Sequence, residues 1–206
     1  AQHSSDPSGL FAQFPGWRIV APSSPAEYIG LFNAAMISRD PVLVVEHFGL
    51  YPQKGQVPKG HLDYVIPLGK AKVRKQGRDV TVLTWSSTVG RALAIAEELE
   101  REGVSAEVID LRTIDLPGID YETIAASVRK TNALVIVEDA FRAQGVGMHI
   151  AEEVQRRFFD DLDHPVLRVA SKDIPVPVSR RQEAYVMLSD DDIRQAMVDA
   201  ARRQER

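Results

Sequence analysis

The chain has 206 residues, 44% of them hydrophobic, which is enough for one large or two small domains with buried cores. Its formal net charge is −4, and the 25 basic side chains are spread along the chain, which argues against nucleic-acid binding. No apolar run reaches the ~20 residues of a transmembrane helix, so we expect a soluble protein with no membrane contact. The absence of cysteine excludes disulfides and thiolate chemistry.

The first part of the chain predicts a strand, a helix and a second strand. Trp17 to Ala21 is typical of a strand, and Ser24-Pro25-Ala26-Glu27 forms a capping box with proline at the first helical position. The apolar stripe of the helix is predicted to face a sheet and contains Tyr28, Leu31, Phe32 and Ala35. Val42 to Val45 is short and apolar, which predicts a strand buried on both faces.

A segment rich in proline and glycine follows, from about Leu50 to Leu68. Its prolines remove backbone donors and fix φ, so it favours neither a helix nor a central strand. We therefore predict a domain remainder at residues 1–50, a linker at 51–68 and a second domain at 69–206.

Strands and helices alternate from Gly69 onward, which predicts an α/β fold with a mainly parallel sheet. The predicted strands are Val80 to Trp85, Ala106 to Asp110, Leu134 to Glu138 and Val166 to Val169. The predicted helices are Ser87 to Glu102, Asp120 to Arg129, about Gly145 to Phe159, and a last one opened by the capping box Ser189 to Asp192. Ile193, Met197 and Ala200 form the expected buried stripe of the last helix.

Several sequence segments resemble the beta subunit of thiamine-diphosphate-dependent 2-oxo-acid dehydrogenases, which belong to the transketolase superfamily. They are Gln2-His3-Ser4, the stretch from Trp17 to Glu27, Pro41 to Glu46 and Glu107 to Thr113. The resemblance implies a partial pyrimidine-type α/β domain followed by a transketolase C-terminal-like domain, with the chain starting inside the first. It also implies decarboxylation of a 2-oxo acid (pyruvate, a branched-chain 2-oxo acid, or acetoin in related enzymes) and reductive acylation of lipoamide.

The resemblance makes His3 the predicted catalytic residue, hydrogen-bonded to the substrate and assisting acyl transfer. An imidazole suits this role because it exchanges protons near neutral pH. Ser5 stands where the family usually has a second glutamine. Thiamine diphosphate and Mg²⁺ are expected on the alpha subunit, with the essential glutamate upstream of His3, so no cofactor-binding residue is predicted in this chain.

A potassium loop is predicted from the same resemblance, at Ala35, Met36, Ser38 and Asp40. An ordinary turn between helix and strand explains these residues equally well, because hard-cation sites depend on ligand number and geometry. Ser38 replaces a common aspartate, and Asp40 replaces a common asparagine.

The turn from Glu138 to Gly147 leaves two roles open. Gly145-Val-Gly147 at a helix start can cradle an anion or allow close packing of strand on helix. The resemblance favours Glu138 and Phe141 as contacts to neighbouring subunits.

Asp110-Leu-Arg112 is interpreted as a buried ion pair or a hydrogen-bonded turn. The other four histidines, among them His47 and His61, are interpreted as structural or surface residues.

The predicted partners are an alpha subunit, a second beta subunit and a lipoyl acyltransferase, in the cytoplasm or an organelle matrix. Two other functions remain open. One is a different transketolase-superfamily enzyme acting on sugar phosphates, which would need more basic side chains. The other is a non-catalytic assembly module.

Overall fold

The computed structural model describes residues 4–202. A short helix, α1 (Ser8–Phe11), precedes the front unit, which consists of β1 (Arg18–Val20), α2 (Pro25–Ile37) and β2 (Val42–Val44). β1 and β2 pair in parallel, with Arg18 opposite Val42. This is the predicted order of strand, helix and strand.

The back unit is a five-stranded sheet in the order β3-β5-β4-β6-β7. Its strands are β3 (Lys72–Lys75), β4 (Val80–Thr84), β5 (Ala106–Asp110), β6 (Leu134–Phe141) and β7 (Leu167–Ser171). Its helices are α3 (Thr88–Arg101), α4 (Tyr121–Thr131), α5 (Gly147–Arg157), α6 (Arg180–Val186) and α7 (Asp190–Ala201). All pairs except β3 with β5 are parallel, which confirms the predicted α/β fold with a mainly parallel sheet.

The two predicted capping boxes each place a serine cap at a helix start, and the second one is complete. The hydroxyl of Ser24 accepts from the N–H of Glu27 at 3.3 Å, and Pro25 begins α2. Ser189 and Asp192 form a reciprocal capping box at the start of α7. The predicted stripe Ile193, Met197 and Ala200 is buried, and it packs on the same sheet face as α3.

The predicted buried stripe of α2 is wrong, because the buried positions lie one residue earlier in the sequence. The buried positions are Glu27, Gly30, Leu31 and Ala34, whereas Phe32 is 41% exposed. The reason is that Glu27 enters a buried charge cluster, and Gly30 lies against the side chains of Tyr64 and Ile66. A polar residue therefore occupies the inner face, which an apolar pattern does not reveal.

Three further features differ from the prediction. β2 is half-buried along its length and not buried on both faces, and it lies at an edge, with β1 as its only strand neighbour among residues 4–202. β3 was not predicted, since three of its four residues are basic and lie on an edge strand. α6 was also missed, because its seven residues are too few to show a clear helical period.

The front and back units share one hydrophobic core. Ile19 and Ala21 pack in the same cluster as Leu83 and Ile109 of the large sheet. A single antiparallel bridge joins Val20 to Thr113. No helix within residues 4–202 has the length and apolar character needed to cross a membrane. The shared core places the ends of β2, β4 and β6 near one another.

Candidate functional site

An open cleft lies between the two units at the carboxyl ends of β2, β4 and β6. Ligand sites in parallel α/β sheets commonly lie at this edge. The cleft has a volume of about 560 Å³. Its lining consists of Ser4–Pro7, Val45–Phe48, Tyr51, Trp85–Ser87, Asp139, Glu183 and Met187.

A hydrogen-bonded pair of side chains crosses this cleft. His47 Nε2 lies 2.9 Å from Asp139 Oδ2, and the N–H of Gly49 donates to His47 Nδ1 at 3.0 Å. Because Nδ1 accepts a hydrogen bond, the neutral ring carries its proton on Nε2 and donates it to Asp139. The hydrogen bond to Asp139 raises the pKa of His47, against the opposing effect of partial burial. His47 therefore becomes charged at a higher pH than an exposed histidine does.

The segment that follows His3 in the sequence packs tightly on the back unit. A Cβ built on Gly9 would lie 1.6 Å from the carbonyl oxygen of Gln144. The two backbones are therefore so close that only glycine fits at position 9. The N–H of Ser8 donates to Asp6 Oδ1 at 2.8 Å. Burial raises the pKa of Asp6. Backbone packing thus fixes one wall of the cleft.

Replacing Gly9 with alanine is expected to detach this segment while the rest of the chain stays folded. The new methyl group would overlap the Gln144 carbonyl, which is backbone and cannot easily move aside. We expect amide hydrogen exchange in Ser8–Phe11 to rise by about tenfold. Gly90→Ala is the matched control, because a Cβ there meets no atom within 4 Å. Equal exchange in the two variants would contradict the packing described here.

A second cavity of about 430 Å³ adjoins the cleft. Glu46, His47 and Tyr51 line both spaces. The hydroxyl of Tyr51 donates to Glu46 Oε2 at 2.7 Å, and a hydrogen bond to the same carboxylate raises the pKa of Tyr28 to about 12. These two hydrogen bonds orient Glu46 in the wall between the cavity and the cleft.

A buried charge cluster joins α2 to β3 and to the end of β5. Arg112 Nε lies 3.2 Å from Glu27 Oε1, and Arg74 Nη1 lies 3.3 Å from Asp110 Oδ2. The hydroxyl of Ser23 lies 2.6 Å from Glu27 Oε2 and 2.5 Å from Asp110 Oδ2. This agrees with the interpretation of Asp110-Leu-Arg112 as a buried ionic and hydrogen-bonded turn.

The single proton of the Ser23 hydroxyl cannot be donated to both carboxyl groups. Both short contacts are satisfied when Asp110 is protonated and donates to Ser23, and Ser23 donates to Glu27. In agreement, burial and then the charge of Glu27 raise the pKa of Asp110 to about 8. For Glu27, the hydrogen bond from Ser23 and the guanidinium groups of Arg112 and Arg74 outweigh burial and lower its pKa. The pair therefore holds one shared proton near neutral pH.

Glu138 turns away from the predicted partner surface, and this part of the interface prediction is wrong. Its side chain is fully buried within this chain. It accepts from the N–H of Gly147 at 2.9 Å and from Arg168 Nη2 at 2.5 Å. A Cβ on Gly145 would lie 2.3 Å from the Glu138 carboxylate. The Gly-x-Gly turn therefore packs around the Glu138 side chain and not around a bound anion. Phe141 is part-exposed, and its contact with a partner stays a prediction.

The predicted catalytic residue, His3, lies outside the described residues. The predicted potassium loop forms an ordinary helix end in residues 4–202: the N–H of Ser38 donates to the Ala35 carbonyl, and the N–H of Asp40 donates to the Ser38 hydroxyl. Met36 is 71% exposed. The structure thus brings Ala35, Ser38 and Asp40 together, and potassium binding by them stays a prediction.

The model of the transketolase C-terminal domain family matches residues 69–193 of the chain. The chain belongs to this family. Its match covers the five-stranded sheet together with α3 to α6 and the start of α7. The front unit and the connecting segment lie outside the match.

Longer relatives match the front unit as well. The pyruvate dehydrogenase E1 component subunit beta of Staphylococcus epidermidis is 40% identical over 195 residues, which are 94% of this chain and 59% of that protein. Subunit beta-1 of the Arabidopsis thaliana mitochondrial enzyme is 42% identical, over 94% of this chain and 53% of its own length. The chain thus spans little more than half of these relatives. They confirm the resemblance to beta subunits.

A solved structure described as a split gene transketolase, inactive beta4 tetramer, has the same fold. Its TM-score is 0.79 at 25% sequence identity, and the match covers 94% of this chain and 60% of that one. The likeness extends beyond the transketolase C-terminal domain, since that domain alone is shorter than the matched region. The front unit and the back unit are therefore packed together in a known arrangement.

The cleft does not fit a diphosphate. None of its lining residues in the described part of the chain is lysine or arginine, and four of them are carboxylates: Asp6, Glu46, Asp139 and Glu183. A diphosphate is bound by cations and backbone N–H groups, and acidic side chains repel it. No group of three or more histidine and acidic side chains in residues 4–202 is placed to hold a metal ion.

Sequence reasoning missed His47, Asp139 and Asp6 as site residues. Two signals were available: His47 is the second residue after a predicted strand, and Asp139 follows the predicted end of another. Side chains at the carboxyl ends of parallel strands meet at one edge of a sheet. However, β2 and β6 belong to different sheets, so their convergence depends on how the two units pack.

Proposed function

We propose that this chain acts as the beta subunit of a 2-oxo-acid dehydrogenase, contributing to thiamine-diphosphate-dependent oxidative decarboxylation and reductive acylation of lipoamide. One observation carries the proposal: identity of 40% extends over 195 residues and so includes the front unit and the connecting segment. Pyruvate is the first substrate to test, since the relatives are pyruvate dehydrogenase subunits.

In this proposal the chain supplies one wall of the reaction site, and an alpha subunit supplies the rest. The acidic cleft supports this division, because cations for the diphosphate and its Mg²⁺ must come from elsewhere. His3 directly precedes Ser4, which lines the cleft, and would assist acyl transfer. A second beta subunit would contact Phe141, and potassium would bind at the end of α2. The location proposed is the cytoplasm or an organelle matrix.

Action on sugar phosphates is the alternative within the superfamily, and the structural similarity to a split gene transketolase favours it. The composition of the cleft argues against it. A sugar phosphate carries a dianion that needs basic side chains, and the lining residues in the described part of the chain are acidic or uncharged apart from His47.

The test is to express the chain, in the form its gene encodes, together with its alpha partner and a lipoyl domain. We expect pyruvate-dependent and thiamine-diphosphate-dependent acylation of the lipoyl domain, measured by mass spectrometry. His3→Ala should lower its rate by about 100-fold, as removal of a general acid does, whereas His61→Ala in the exposed connecting segment should not. Turnover of a sugar phosphate alone would favour the alternative, and cofactor binding without any turnover would favour an assembly module.

A further inference from the structure

The second cavity, next to the cleft, is lined mainly by apolar and aromatic side chains. Pro25, Tyr28 and Ile29 of α2 lie three and four positions apart, so they share one face of the helix. A volume of about 430 Å³ with such a lining is typical of small-molecule sites. The full apolar and aromatic set is Pro22, Pro25, Tyr28, Ile29, Leu50 and Tyr51.

The polar wall of this cavity is acidic. Glu46 is the only carboxylate among its lining residues in the described part of the chain, and none of them is lysine or arginine. The hydroxyl of Tyr51 donates to Glu46 Oε2 at 2.7 Å, and hydrogen bonds from Tyr28 and Tyr51 lower the pKa of Glu46. Glu46 is therefore an anion at neutral pH, and its charge opposes the entry of a second anion into an apolar recess.

The cavity shares a wall with the cleft. Glu46, His47 and Tyr51 line both spaces, and the cleft is also lined by Ser4–Pro7, the segment that directly follows His3. A molecule held in the cavity therefore lies beside the cleft in which acyl transfer is proposed.

The two reactants of the proposed reaction differ in the properties for which this cavity selects. A 2-oxo acid is a small anion, whereas lipoamide is uncharged and carries an alkyl chain with a dithiolane ring. We propose that the cavity binds the alkyl arm of lipoamide, with Ile29 and Leu50 packed against the chain. The inference rests on the proposed function. Burial of the methylene groups supplies the affinity, and Glu46 keeps the anionic reactant out, so the two reactants do not compete for one space.

The kinetic test uses Ile29→Trp in the complex of this chain with its alpha partner, with free lipoamide as the acyl acceptor. The larger side chain fills the cavity, so we expect the KM for lipoamide to rise by about tenfold, the effect of leaving about two methylene groups in water. The KM for pyruvate should be unchanged. Val57→Trp is the matched control, because it adds the same indole at an exposed position in the connecting segment. An equal rise in both KM values, or no rise for lipoamide, overturns the inference.

Methyl NMR of the wild-type complex, labelled at isoleucine and leucine, tests binding without turnover. Lipoamide should shift the resonances of Ile29 and Leu50, and pyruvate should not. If the wild-type complex is inactive with 2-oxo acids, the proposed function fails. If lipoamide leaves both resonances in place, the assignment of the cavity fails independently.

Glu46→Gln distinguishes the lipoamide arm from a basic side chain of the alpha subunit, which also suits an apolar cavity with one carboxylate. Lipoamide is uncharged, so its KM should change little in this variant, whereas a lysine or arginine would lose its ion-pair partner. Weaker assembly of Glu46→Gln with the alpha subunit, together with an unchanged KM for lipoamide in Ile29→Trp, would show that a basic side chain fills the cavity and would overturn the inference.

Discussion

As pH rises from the ordinary aspartate value of 3.8 to about 8, we expect the wild-type chain to lose stability through Asp110 and the Asp110→Asn variant to avoid most of that loss. Asp110 is fully buried, and burial raises its pKa in the folded state. A group whose folded pKa is raised binds more protons folded than unfolded, so its contribution is complete at low pH and is lost as pH rises through the folded pKa.

Asparagine reproduces the protonated form of this side chain. Its amide can donate to the Ser23 hydroxyl, and its carbonyl oxygen can accept the N–H of Arg112, which now donates to Asp110 Oδ1 at 3.2 Å. It cannot ionise, so it adds no second negative charge beside Glu27 in alkaline solution. The contribution of Glu27 to stability depends on pH in the opposite direction. The pKa of Glu27 is lowered in the folded state, so this contribution is lost as pH falls below the ordinary glutamate value of 4.5.

Urea unfolding midpoints at a series of pH values across that window measure this effect. The variant should be the more stable protein at the alkaline end, with a flatter profile than the wild type. Asp160→Asn, at an exposed position, should give a profile parallel to the wild type. If the Asp110→Asn profile is also parallel, Asp110 is ionised throughout and the shared proton is absent.

Glu138→Ala is expected to destabilise the chain by about 3–5 kcal/mol, the usual cost of removing one partner of a buried ion pair. Arg168 has only 13% of its side chain exposed and would lose its carboxylate partner. The N–H of Gly147, which is buried, would lose its acceptor at the start of α5. The substitution also leaves a void under the Gly145-Val146-Gly147 turn, which packs directly on this carboxylate.

Chemical unfolding of Glu138→Ala against Glu152→Ala tests this expectation. Glu152 lies on the exposed side of α5, with 64% of its side chain accessible, so its removal should leave the midpoint unchanged. Glu138→Gln keeps the size and the acceptor oxygen and should lie between the wild type and the alanine variant. A loss for Glu138→Ala no larger than that for Glu152→Ala would show that the buried pair does not stabilise the fold.

Most of the back unit could be predicted because its signals are local. β5 was predicted at Ala106 to Asp110 and lies there. α7 begins after Ser189, where a capping box satisfies the first backbone donors. The exceptions have local reasons: β3 has basic residues along an edge, and α6 has only seven residues.

Side-chain environments were harder to predict than elements. Glu138 of β6 was assigned to a partner surface, but its side chain contacts Arg168 and Gly147 of its own chain. His47 was interpreted as a structural or surface residue, yet its contact with Asp139 crosses the cleft. Both environments depend on partners that are distant in the sequence.

The sequence by itself determined the alternation of strands and helices, and with it the mainly parallel sheet, because hydrophobic period, caps and proline positions act over a few residues. The tertiary structure alone decided which face of α2 is buried, and which carboxylates meet His47 and Arg74. Those outcomes depend on the packing of the front unit on the back unit, where burial sets both the charge partners and the pKa values of the groups enclosed.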